Sequence, residues 1–101
     1  MDAKIKKQWL KALRSGEYKK GINQLQWDDG SGNQTFCCLG VLCDIQGRKW
    51  DRAKVLTSNI PKKWAAGLSK KQMNDLAARN DGAGLAKHSF KHIADLIETY
   101  L

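Results

Sequence analysis

The sequence predicts a small α+β domain, and three observations carry that expectation. Apolar residues recur at helical spacing near both ends, as Ile5, Trp9, Leu10 and Leu13 and again as Phe90, Ile93, Ala94 and Ile97. Between them Leu25 and Trp27 alternate with Gln24 and Gln26 ahead of a cluster of turn formers, which is a strand pattern. The densest apolar run, FCCLGVLCD at residues 36–44, then takes up a helical period and marks the centre of the core.

Taken in order, residues 2–14 read as an amphipathic helix, with Lys4, Lys6, Lys7, Lys11 and Arg14 on the faces that Trp9 and its neighbours leave to water. Asp2 can cap it and Ser15-Gly16 can end it. Such a basic helix also suits an anionic membrane surface. Trp9 and the domain sequence that follows favour packing instead. Residues 23–37 are expected to form a hairpin around Asp28-Asp29-Gly30-Ser31-Gly32-Asn33, whose residue types accept positive φ angles. Residues 38–46 read as a short buried helix in which Gly40 lets a neighbour approach closely and after which Gly47 ends the helix.

Residues 48–56 offer a short charged β segment. Pro61 stands where a helical turn can begin, with Asn59 or Ser58 as cap and Trp64 as apolar anchor. Ser69-Lys70-Lys71-Gln72 matches a capping box, ahead of a helix with Met73, Leu76 and Ala77 on one stripe and a stop at Asn80-Asp81-Gly82. After a loop over residues 83–88, Ser89 caps the last helix, whose apolar repeat extends to Tyr100 and Leu101.

With 101 residues and 42% hydrophobic content, the chain suffices for one core, so residues 1–101 read as a single domain. No run approaches the roughly 20 consecutive apolar residues of a membrane-spanning helix, and Met1-Asp2-Ala3-Lys4 opens no secretory signal. A soluble cytoplasmic protein without a membrane partner is expected. Three cysteines cannot all pair within the chain, so no disulfide framework is expected.

Catalytic constellations are weak. Cys37, Cys38 and Cys43 with His88 and His92 suggest zinc, but an adjacent Cys-Cys pair points its side chains apart. Buried reduced thiols are the simpler reading, and neither metal nor cofactor is assigned. The two histidines suit an exposed or capping place at the start of the last helix. A thiol nucleophile needs exposure and a thiolate-stabilising neighbour, which an apolar centre does not supply. The carboxylates Asp44, Asp51, Asp75, Asp81, Asp95 and Glu98 show no paired spacing, and Gly30-Ser31-Gly32 lacks the lysine of a phosphate loop. A non-enzymatic protein is the expectation.

The charge is more informative. Eighteen Lys and Arg against ten Asp and Glu give +8, which suits a polyanionic partner. A basic surface that only aids solubility is the simpler alternative. Lys7, Lys11 and Arg14 can share one exposed helical face, with Lys19 and Lys20 just after it and Arg48, Lys49, Arg52 and Lys54 behind the central helix. If the two groups fold side by side they attract phosphates, with Tyr18 or Trp50 to stack on a base. Trp9, Trp27 and Trp64 belong to apolar patterns and are expected in the core.

The stretch WLKALRSGEY at residues 9–18, FCCLGVLCD at 36–44, Asn80-Asp81 and Ser89-Phe90 followed by Ile93-Ala94-Asp95 together resemble a family of small phage-encoded accessory proteins. The resemblance covers most of the chain and implies a viral, non-structural product acting in the bacterial cytoplasm, by type of gene an antagonist of host defence. The reading that follows is sequestration of a nucleotide-derived immune signal. Arg14, Arg48 and Arg52 would hold phosphate through paired donors, Lys20 would act as a point charge and Tyr18 would stack. Two alternatives stay open: an inhibitor docking on a host defence nuclease or its nucleic-acid complex, and a plain nucleic-acid-binding protein. Self-association also stays open, because a compact chain can build such a site at an oligomer interface.

Overall fold

The computed structural model describes residues 1–21, 24–28, 30–50, 55–56, 60–82 and 88–101, and among them the α+β expectation holds. Helix α1 spans Ala3–Ser15, strands β1 and β2 span Gln24–Asp28 and Gln34–Phe36, and helix α2 spans Cys38–Ile45. A two-residue strand β3, Val55–Leu56, a 3-10 turn at Lys62–Trp64, and helices α3, Lys70–Asp81, and α4, Phe90–Tyr100, follow.

The long helices start and stop where local chemistry dictates. The Ile5 amide donates to Asp2 Oδ1 at 2.9 Å, and α1 ends on Gly16 at φ 77°. Ser69 and Gln72 form the reciprocal capping box of α3, which Gly82 closes at φ 77°. The His92 amide donates to Ser89 Oγ at 3.1 Å to start α4. At α2 the cap is Cys37, whose Sγ accepts from the Gly40 amide at 3.3 Å. Cys37 therefore stands one residue past β2 at the helix entry, while its own amide still donates to Leu25 O of β1 at 3.2 Å.

The sheet runs β2-β1-β3 with both pairings antiparallel. Residues 19–21 add a short parallel contact on the outer edge of β2, where Phe36 N–H donates to Lys19 O at 2.9 Å and Gly21 N–H to Phe36 O at 2.7 Å. The register against β3 slips between Gln24 and Gln26, and such a bulge breaks the two-residue alternation. Leu25 and Gln26 are consequently both buried while Trp27 is only half-buried, which corrects the expectation of Gln26 outside and Trp27 inside. Of the β segment expected over residues 48–56, Val55–Leu56 is a strand and Arg48, Lys49 and Trp50 are irregular. Residues 51–54, 57–59 and 83–87, and with them the proposed caps Ser58 and Asn59, lie outside the described residues.

Helix α2 is the centre: Leu39, Val41 and Leu42 are fully buried, with α1, α3 and β1 packed around it. Gly40 permits the closest of these approaches, since a Cβ there would stand 1.7 Å from the Leu25 carbonyl oxygen. Trp9 is fully buried and its indole N–H donates to Cys38 O at 2.9 Å. Trp64 is half-buried under Lys63, and at the end of α4 Tyr100 is 76% exposed while Ile97 stays in the core and Leu101 packs against it. Among the described residues no helix is long and apolar enough to cross a membrane.

Candidate functional site

The site is assembled by two breaks in regular structure. The left-handed Gly16 ends α1, and the residues after it lie along β2, which sets Tyr18 beside Phe36. After α2, Gly47 at φ 87° and the Arg48 amide bonded to Cys43 O at 3.2 Å turn the chain back towards Trp50. Asp44 sits in the last turn of α2 between these two returns.

Tyr18 donates its hydroxyl to Asp44 Oδ2, and Trp50 Nε1–H donates to Asp44 Oδ1 at 2.9 Å. Phe36 fills the angle between the two donors, edge-on to Tyr18 at 5.0 Å and to Trp50 at 6.1 Å between ring centres. Arg48 lies over the Trp50 ring, its Cζ 4.9 Å from the ring centre, and its Nη1 donates to Cys43 Sγ at 3.7 Å. Partial burial, then the bond to Asp44, pushes the Tyr18 phenol well above its usual value. Beside this cluster lies a groove of about 350 Å³ lined by Glu17, Tyr18, Lys19, Phe36, Asp44 and hairpin residues 32–34. Its walls offer aromatic surface, two carboxylates and one ammonium.

Among the described residues, Arg14, Lys20, Tyr18 and Arg48 are spread over more than one part of the surface. Tyr18 and Arg48 belong to one cluster, Tyr18 through its hydroxyl on Asp44 and Arg48 through the Trp50 ring that donates to the same carboxylate. Arg14 turns towards α4 and is ion-paired with Asp95 at 2.8 Å and with Glu98. Lys20 lies between sheet and α3, where its Nζ donates to Asn80 O at 2.7 Å and so meets the negative end of that helix. Both make contacts between elements, because each finds an acceptor within the fold. Arg52 lies outside the described residues.

Among the described residues no group of three or more His, Cys, Asp and Glu side chains converges as a metal site. Burial pushes the Cys37 thiol up to about 12 and the Cys38 thiol up as well. Cys43 is also raised by burial, with Arg48 acting in the opposite direction. The His88 and His92 rings stack at 4.2 Å.

Residues the pattern reading passed over include Phe36, treated only as core, Asp44, seen as one carboxylate among several, and Asn80, seen as a helix stop. A signal for Asp44 exists: an acidic side chain in the last turn of a helix opposes the helix dipole, so it needs donors from elsewhere.

A second groove, of about 240 Å³, separates α3 from α4 and is lined by Leu76, Leu96, Ile97, Tyr100 and Leu101, with Asp75 and Arg79 paired at 3.0 Å on its wall.

A family model described as a domain of unknown function, DUF8296, matches residues 1–65. Every residue of the Tyr18, Asp44 and Trp50 cluster falls within that stretch, and α3 and α4 fall outside it. No curated protein and no solved structure matches the chain.

Proposed function

Because the chain belongs to that family, whose description names no activity, we propose from the geometry that it is a non-enzymatic binding protein that sequesters a nucleotide-derived ligand in the groove beside Tyr18 and Asp44. The observation that carries this reading is the gathering of Tyr18, Phe36 and Trp50 around one carboxylate at the wall of an open groove. Its volume of about 350 Å³ falls in the range of small-molecule sites. Aromatic side chains that take a base typically contribute about 1–3 kcal/mol each. Lys19 lines the groove, Lys49 is exposed close by in sequence, and the net charge of +8 draws anions to the whole surface. The resemblance noted from the sequence supplies the setting for the proposal: a phage product removing a host immune signal in the bacterial cytoplasm.

Native mass spectrometry of the purified protein, followed by calorimetry with a panel of nucleotides, tests the reading. A nucleotide in fixed ratio to the chain, weakened by Trp50→Ala and unaffected by Arg14→Ala, is the expected result. Absence of binding across the panel would overturn it.

The inhibitor reading has one observation in its favour. Tyr100, 76% exposed, stands at the apolar groove between α3 and α4, where a partner's side chain can insert. Co-purification of a host defence protein, lost in Tyr100→Ala while nucleotide binding persists, would support it.

A further inference from the structure

The groove also discriminates between bases, an inference that rests on the nucleotide reading above. An ionised carboxylate only accepts hydrogen bonds and has about four positions in which to do so. At Asp44 one position on Oδ2 is taken by the Tyr18 hydroxyl and one on Oδ1 by the Trp50 indole. The side chain is half-buried and lines the groove, so each oxygen retains acceptor capacity for a ligand that lies there. Glu17 adds a second acceptor to the lining. A phosphate placed against these carboxylates would be repelled, whereas Lys19 provides a cationic position for it.

The ligand must therefore present donors to Asp44 and its anionic part to Lys19. Among the common bases only guanine carries two adjacent donors on its pairing edge, the N1–H and the 2-amino group, at a spacing that matches two carboxylate oxygens. Adenine sets an acceptor beside its amino group, cytosine does the same, and uracil flanks its one N–H with two carbonyls. We propose that the groove binds a guanine nucleotide, with N1–H and the 2-amino group donating to Asp44, the ring against Tyr18 and Phe36, and phosphate directed to Lys19.

Calorimetry on the full chain with GMP, IMP and AMP tests the assignment. IMP keeps N1–H and lacks the 2-amino group, so it removes one donor without altering the protein. GMP is expected to bind roughly tenfold or more tighter than AMP, with IMP between them. Asp44→Asn replaces an acceptor by a donor and is expected to abolish the preference for GMP. If that variant fails to fold, the ligand series on the native chain still decides.

Equal affinity for GMP and AMP overturns the base assignment and leaves nucleotide binding standing. Failure of all three, and of cyclic and oligomeric guanine nucleotides, overturns both. Binding of arginine methyl ester in place of GMP would assign the groove to a guanidinium group from a protein partner and would likewise overturn the proposal.

Discussion

Asn80 on α3 and Asp44 on α2 each gather partners from distant parts of the chain, yet they end in opposite states. Asn80 is fully buried; its Oδ1 accepts from the Cys38 amide at 3.1 Å, and its Nδ2 donates to Gly21 O and to Asp81 Oδ1, both at 2.9 Å. Its donors and its acceptor oxygen are all engaged by the protein. Asp44 is half-buried, holds two donors and keeps acceptor capacity beside a groove. The first arrangement fixes how α2, α3 and the edge of the sheet meet. The second leaves valence for something outside the chain. Satisfied polar burial of the one kind and incomplete satisfaction of the other separate residues that make the fold from residues that can serve a ligand.

The closed region should break most severely. A Cβ at residue 40 would lie 1.7 Å from the Leu25 carbonyl oxygen and 2.7 Å from its carbon, and backbone atoms at the centre of a packed core have little room to retreat. Gly40→Ala is expected to cost about 3 kcal/mol or more, which approaches the whole stability of a small domain. Urea unfolding followed by far-UV circular dichroism measures it. A loss under about 1 kcal/mol would show that helix and strand can separate freely.

Next comes Asn80→Ala, which leaves the Cys38 amide and the Gly21 carbonyl without their partner. Each orphaned group costs about 1–3 kcal/mol when buried, so a total of roughly 2–6 kcal/mol is expected in the same unfolding assay. Ligand affinity of the fraction that remains folded should not change. A variant with normal stability and impaired binding would erase the distinction between the two regions.

The difference between the regions also explains what was legible in the sequence. Helix caps are local, so Asp2, Ser69 and Ser89 could be read at their own positions, and Gly40 within an apolar helix already indicated a close approach. The groove depends on Tyr18 and Asp44, 26 residues apart, and on a chain reversal that brings Trp50 to the same carboxylate. No periodicity encodes such a meeting. The internal acceptors of Arg14 and Lys20 were hidden in the same way, since they lie 81 and 60 residues further along the chain. At β1 a single bulge was enough to bring Gln26 inside, because a period of two survives no insertion.

A smaller effect is expected at the open region. Tyr18→Phe keeps the ring that meets Phe36 and removes the hydrogen bond to Asp44, at a cost of about 1 kcal/mol. The pH dependence has a definite sign. Burial first, and the Asp44 bond second, raise the phenol above its ordinary value of 10.0, so the folded state holds the proton more tightly than the unfolded chain. The stabilisation is complete below pH 10 and is lost as pH rises from there through the higher folded value. Native protein and variant should therefore converge in stability in strong base, and the late-ionising tyrosine should vanish from the variant's ultraviolet absorbance titration. Parallel stability curves through that range would mean that the hydroxyl contributes nothing specific.

The smallest effect belongs to Arg14. It joins α1 to α4 through Asp95 and Glu98, but its side chain is 35% exposed and theirs are 60% and 58% exposed. Water screens such a pair and salt screens it further, so most of its attraction is lost before it can stabilise the fold. Hydrogen bonds to Asp95 and then Glu98 raise the guanidinium still further above its already high value, so its charge persists across the working pH range and salt is the variable that reveals it. Arg14→Ala should lower the unfolding midpoint slightly in dilute buffer, less than either core substitution, and match the native protein at high salt. Nucleotide affinity should hold when both are measured at one ionic strength. Arg14 lies on the α4 side of α1, apart from the Asp44 cluster, so a loss of binding in this variant would extend the ligand surface across α1. It would return Arg14 to the phosphate-holding role that its place in the sequence suggested.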